Sequence, residues 1–149
     1  MRKRKGLHAG TASRKRDIIR AALKSFSETG FTITSMEDIR RQSGASTGSI
    51  YHHFKGKEQL AAAVYLEGIR DYQAGLMVLF RGDSDARTGI RSIVEYHLKW
   101  VEANQEWSRY LFRMRHSDLL VSAEGEIADM NRDLMKSAEG WFARHIRKG

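Results

Sequence analysis

An all-α fold is predicted for this chain of 149 residues by three observations: proline is absent, apolar residues recur at three- and four-residue spacing over long stretches, and no segment sustains the period-two alternation of a strand. The helices can be placed in order. Ile18, Ile19, Ala22, Leu23 and Phe26 make one apolar face that starts near Ser13 or Arg14 and runs to Glu28. Gly30 then supplies the left-handed stop expected just past a helix end, so a first helix is predicted over 14–28. A second starts at Thr34-Ser35, where a hydroxyl caps and the acid three residues later reaches back, and it ends at Gly44. Ser46 caps a third, Thr47 to Phe54, and Lys55-Gly56 separates it from a long fourth helix that opens near Lys57. Two short helices joined by a short glycine-containing turn form a helix-turn-helix.

The rest reads as four helices. The fourth carries Leu60, Val64, Ile69, Leu76, Leu79 and Phe80 as its stripe and yields to a loop at Gly82-Asp83-Ser84-Asp85. A fifth runs from about Thr88 with Ile90, Ile93, Val94, Leu98 and Val101 turned inward, and a short sixth carries Trp107, Tyr110, Leu111 and Met114. The last, over 118–147, repeats Ile127, Met130, Leu134, Ala138, Trp141 and His145 on one face. Gly68 and Gly75 lie seven apart on one face of the fourth helix, a spacing that predicts close approach of another backbone and a helix able to tilt.

Charge divides the chain. Residues 1–57 hold 13 Lys and Arg against 4 Asp and Glu, net +9, whereas residues 58–149 hold 13 against 14, net −1. A basic region on an otherwise balanced protein is the footprint of a polyanion binder. Nucleic acid is favoured over a membrane surface, because residues 2–16 offer only Leu7 as a large apolar residue. This gives three segments: a disordered basic arm at 1–13, a DNA-binding unit at 14–57 and a helical body at 58–149. The Arg2-Lys3-Arg4-Lys5 run reads either as a solvated tail or as an arm on DNA.

Composition excludes other classes. Without cysteine there is no disulfide framework, thiolate metal site or thiol nucleophile. The longest apolar runs, Ala61–Leu66 and Leu76–Phe80, fall far short of the roughly 18 residues of a membrane span. The basic start lacks the apolar segment of a signal peptide, so a cytoplasmic protein, nucleoid-associated when on DNA, is expected. His52 and His53 point about 100° apart on a helix, and the other histidines have no ligand spacing, so no metal or cofactor is expected. No phosphate loop, nucleophile elbow or paired carboxylates suggest an enzyme.

The third helix has a definable outer face. Ile50 and Phe54 lie together and point into the three-helix core, which leaves Gly48 and His52 opposite, flanked by Ser49 and Tyr51. A helix entering a major groove about 12 Å wide needs small residues and short polar groups at its start, and Thr47, Gly48 and Ser49 meet that need. Tyr51, His52, His53 and Lys57 lie next along the groove edge, where they suit phosphates.

The stretch from Arg14 to Leu60 resembles the N-terminal DNA-binding domain of the TetR family of transcriptional regulators. The resemblance rests on Ala21-Ala22 followed by Phe26, on Gly30, Thr34-Ser35, Ile39 and Gly44, and above all on Ser46 to Phe54 followed by Lys57-Glu58 and Leu60. It implies that Ser35, Thr47, Ser49, Tyr51, His53 and Lys57 contact double-stranded DNA, with Thr47 and Ser49 reading bases and the others facing phosphates. His52 is added from the face argument. Three residues depart from the family pattern: Arg40 stands for a small residue, Ser25 for Leu and Ala45 for Val, which is expected to loosen packing.

The family further implies a helical body that binds a small-molecule effector, and a homodimer on a palindromic operator, built in the full-length protein largely from the last two helices. This chain stops at Arg147-Lys148-Gly149, where relatives continue, so a truncated body is expected. Met77, Tyr96, Trp100, Trp107, Phe112, Met114, Met130 and Trp141 are the candidates to line the effector pocket. The functional expectation is an effector-responsive repressor. Its rival is an effector-binding or protein-interaction module with only nonspecific affinity for nucleic acid.

Overall fold

The computed structural model describes the backbone of residues 4–146 and the side chains of residues 10–146. Among these residues the all-α prediction holds. The helices are α1 (Arg4–Glu28), α2 (Met36–Ser43), α3 (Thr47–His53), α4 (Lys57–Arg81), α5 (Ala86–Ala103), α6 (Gln105–Met114) and α7 (Glu124–Ile146). A 3₁₀ segment, Asp118–Ala123, leads into α7, so the last predicted helix begins in this tighter form. Ser117 caps it, its Oγ accepting from the Leu119 amide at 3.3 Å.

α1 starts well upstream of the predicted Ser13–Arg14. From Arg4 onward the segment expected as a disordered arm continues the first helix. No proline or cap interrupts it, and each added helical residue gains a hydrogen bond. Arg2 and Lys3, and the side chains of Arg4 and Lys5, lie outside the described residues.

Two cores share α4. In the head, Ile18, Ile19, Ala22, Leu23 and Phe26 of α1 pack with Ile39, Ala45, Ile50 and Phe54, and the same cluster takes in Leu60, Ala61 and Val64 of α4, Tyr110 of α6, and Leu120 and Ala123. Packing therefore crosses residue 57, where the charge changes. Tyr110 stacks on Phe26 with ring centres 6.3 Å apart and donates its hydroxyl to the Ala61 carbonyl at 2.9 Å. The body core is smaller: Leu76, Phe80 and Trp141, with Tyr72, Ile93, Tyr96, Leu134 and Ala138 against them.

Glycines admit aromatic rings between these helices. A Cβ on Gly68 would lie 2.1 Å from the Trp107 ring, one on Gly75 would lie 2.2 Å from Tyr96, and one on Gly89 would lie 2.3 Å from Trp141. The spacing of Gly68 and Gly75 thus marks close approach of side chains, not of a second backbone. Two of the three rings are also held by a polar atom: Trp107 Nε1 donates to the Val64 carbonyl at 3.1 Å and Tyr96 Oη to the Tyr72 carbonyl at 2.8 Å, whereas Trp141 Nε1 is buried without a partner among the described residues.

α5 presents a different face from the one predicted. Of the five residues predicted inward, Ile93 packs against the body core and Val101 is half-buried, but Ile90, Val94 and Leu98 are exposed, and Gly89, Tyr96 and Trp100 make the rest of the contact. Apolar residues cover more than one arc of α5, and periodicity alone does not choose between them. The rings decide: Tyr96 fits against Gly75, while Trp100 Nε1 donates to Asp71 Oδ2 at 2.8 Å.

Gly68→Ala and Gly89→Ala are each expected to destabilise by about 1–3 kcal/mol through overpacking, read as a lower urea midpoint. Gly48→Ala, whose Cβ would meet nothing within 4 Å beyond its own helix among the described residues, is expected to stabilise by up to about 1 kcal/mol in the same measurement.

Candidate DNA-binding surface

The second and third helices begin at side-chain caps that the sequence announces. Ser35 Oγ accepts from the Asp38 amide at 3.1 Å, and Asp38 Oδ2 accepts from the Ser35 amide at 3.0 Å and from its hydroxyl at 2.6 Å. These bonds, with the Arg41 guanidinium, hold the Asp38 carboxyl down to about 2. Gly44 closes α2 with φ +67°, in the left-handed region where a side chain is strained. Ser46 Oγ then accepts from the Ser49 amide at 3.2 Å and starts α3.

The two substitutions expected to loosen packing at positions 25 and 40 install polar ties. Ser25, buried, donates its hydroxyl to Gln42 Oε1 at 2.5 Å, joining α1 to α2. Arg40 makes a bidentate pair with Glu37, both bonds 2.7 Å, and its remaining arm donates to the Ala45 carbonyl at 3.1 Å. A guanidinium fork suits this bridge, because its five N–H donors leave it in fixed directions and three of them are used here. Arg40 thereby holds the turn between α2 and α3. Ala45 is buried in the head core.

The turn fixes how α3 is displayed. Ile50 and Phe54 are buried, at 0% and 2% exposure, as the face argument requires. On the other side Thr47, Gly48, Tyr51 and His52 are exposed, and Ser49 and His53 are half-buried. Burial, with His52 and Lys15 nearby, pushes the His53 imidazole below its ordinary value. Among the described residues nothing requires the glycine at 48, since a Cβ there would meet open space. Its missing side chain suits a partner approaching from outside.

Two of the eight predicted contacts have internal bonds. The Ser35 hydroxyl is engaged in its cap. Lys57 Nζ donates to the Phe31 carbonyl at 2.7 Å and the Thr32 carbonyl at 3.3 Å, and it sits 4.5 Å from the centre of the Phe31 ring. The ammonium therefore ties α4 to the loop between α1 and α2, a role that sequence spacing did not reveal because the two ends are 26 residues apart.

The eight pocket candidates divide between two cores and the surface. Trp107 and Met114 pack with the head core, and Tyr96 and Trp141 with the body core. Trp100 is buried edge-on to Tyr72, with ring centres 5.0 Å apart. Met77 and Met130 are half-buried. Phe112 is 67% exposed, with the Arg115 guanidinium 4.3 Å from its ring centre.

Residues 18–64 match the family model described as bacterial regulatory proteins, tetR family. Over 61 residues the chain is 38% identical to the HTH-type transcriptional repressor KstR2 of Mycolicibacterium smegmatis, a match covering 41% of this chain and 28% of that protein. It is 26% identical over 150 residues to the HTH-type transcriptional activator FasR of the same species, covering 97% of this chain and 68% of the relative. The fold is that of a TetR family transcription regulator from Marinobacter aquaeolei VT8, with a TM-score of 0.74 at 20% identity over 95% of this chain and 71% of that one.

Removing the Lys57 ammonium should weaken the free protein. Lys57→Ala is expected to destabilise by about 1–2 kcal/mol in urea denaturation without DNA; an unchanged midpoint would return Lys57 wholly to the DNA surface.

Proposed function

We propose that this chain, whose residues 18–64 carry the tetR-family helix-turn-helix, regulates transcription by binding a two-fold operator as a homodimer and leaving it when an effector binds the body. The observation that carries this reading is α3. Its inner face is anchored by Ile50 and Phe54, while its outer face is small, polar and bare at Gly48. Thr47 and Ser49 are the base readers, and Tyr51, His52 and His53, with Ser35 and Lys57 beside them, face the phosphates. Two such helices enter successive major grooves about 34–36 Å apart.

Repression by occupying the operator is the mode we assign, in line with the name of the KstR2 relative. The effector site belongs to the body, around Met77, Tyr96, Trp100, Met130 and Trp141. A ligand that displaces a ring from its glycine seat on α4 tilts that helix, and with it the head core that includes Leu60 and Val64. Trp107 and Met114 pack against the head core and relay the movement, while Phe112 stands at the surface.

Fluorescence anisotropy with the intergenic DNA beside its own gene and a random duplex of equal length tests the reading. The intergenic duplex is expected to bind on the order of 10³-fold tighter. Tyr51→Ala should weaken both duplexes, and Thr47→Ala should change the preference between sequences. Equal binding of both duplexes by the unaltered chain would favour a module with only nonspecific affinity for nucleic acid. Deleting the gene should raise expression of a reporter driven by that intergenic DNA, and a fall would overturn repression.

A further inference from the structure

α1 has a role beside the recognition helix that its apolar face does not suggest. Its residues Gly10, Thr11 and Arg14 stand across an open cleft of about 690 Å³ from Gly48, Ser49, His52 and His53 of α3. The walls hold a guanidinium, two imidazoles and two hydroxyls, and no carboxylate. Four other surface clefts differ in this respect, for each includes at least one acid: Glu28, Glu102, Glu67 and Asp118 are examples, one from each. Electrostatically, the α1–α3 cleft is the one of these five suited to an anion.

The glycines give an independent observation. Gly10 and Gly48 face the same cleft from two different helices, and a Cβ on either would meet nothing within 4 Å beyond its own stretch of helix among the described residues. Glycine inside a helix is unfavourable, and among the described residues no contact offsets it at either position. Both walls are therefore bare, which lets something from outside come close. Arg14 supplies the charge: it is exposed and has no ion pair among the described residues. Arg14 is the one arginine or lysine of the lining, and its guanidinium is charged at any working pH.

We propose that this cleft seats a backbone phosphate of the DNA strand bordering the groove that α3 enters, with Arg14 as its anchor and Gly10 and Gly48 as the bare walls that admit the strand. The inference rests on the DNA-binding reading above and adds α1 to the contact surface. A guanidinium binds phosphate through two parallel charge-assisted bonds, so Arg14 fixes the register of α3 on the duplex without reading sequence. The phosphate is that of DNA, not a free ion, because the cleft is open and continuous with the recognition face.

The test uses the full chain with the intergenic and random duplexes across a salt series. Arg14→Ala is expected to weaken both duplexes by about 5–20-fold, to preserve their ratio, and to lower the slope of log K against log salt by about one, the signature of one lost phosphate contact. Gly10→Ala is expected to raise the urea midpoint while weakening DNA binding, a combination that a purely structural role does not produce. An Arg14→Ala chain with unchanged affinity and salt slope, alongside a Thr47→Ala chain that still changes preference, overturns the cleft and leaves the DNA-binding reading intact. A wild-type chain that binds neither duplex overturns both. A saturable calorimetric signal with inorganic phosphate alone, lost in Arg14→Ala, assigns the cleft to a free anion and overturns its role on DNA.

Discussion

Leu60, Ala61 and Val64 are buried in the head core and Leu76 and Phe80 in the body core, yet all five lie on the single helix α4. At 1.5 Å per residue the two ends of this set stand about 30 Å apart. The helix between them is continuous, so a change in its tilt at one core is felt at the other. What lets its neighbours come so close is the absence of bulk: Ala61 and Ala62 are buried, and Gly68 and Gly75 receive rings from α6 and α5. Close packing of this kind resists small deformation, so α4 moves as a unit or not at all.

The head is held by polar ties as much as by its apolar core. The Ser25 hydroxyl reaches Gln42, the Arg40 fork reaches Glu37 and the Ala45 carbonyl, and Lys57 reaches the Phe31 and Thr32 carbonyls. Thr34, buried, donates to the Gly30 carbonyl at 2.7 Å in the same loop. Together these bonds fix the loop before α2, the turn after it and the start of α4. A helix of seven residues such as α3 has little stability of its own. Its orientation is borrowed from these surroundings, which is how an exposed, glycine-containing helix keeps one geometry.

The parts of the structure legible in the sequence are those set by neighbours in the chain. Ser35 and Ser46 cap α2 and α3 because a hydroxyl reaches an amide three residues on, whatever else surrounds it. Ile50 and Phe54 share a face because four residues are about one helical turn. The opposite case is α5, where Ile90, Val94 and Leu98 have the right spacing for a core face and are exposed. Spacing tells which residues share a face; it does not tell which face meets another helix. The aromatic residues of the body illustrate the same limit, since residue type could not sort Trp107 into the head core, Trp141 into the body core and Phe112 onto the surface.

The sequence by itself determined the helical class, the helix-turn-helix, the starts and stops of its two short helices and the polarity of α3, all of which follow from interactions within a turn or two of chain. It also placed the basic charge in the first 57 residues. Only the tertiary structure decided that Lys57 and Ser25 make ties inside the head, that Gly68, Gly75 and Gly89 are seats for rings, and that α1 lines a cleft with α3. Those outcomes join residues far apart in the chain. They depend on the relative placement of whole helices, which is set by the shapes of the side chains between them and is not encoded in any local pattern.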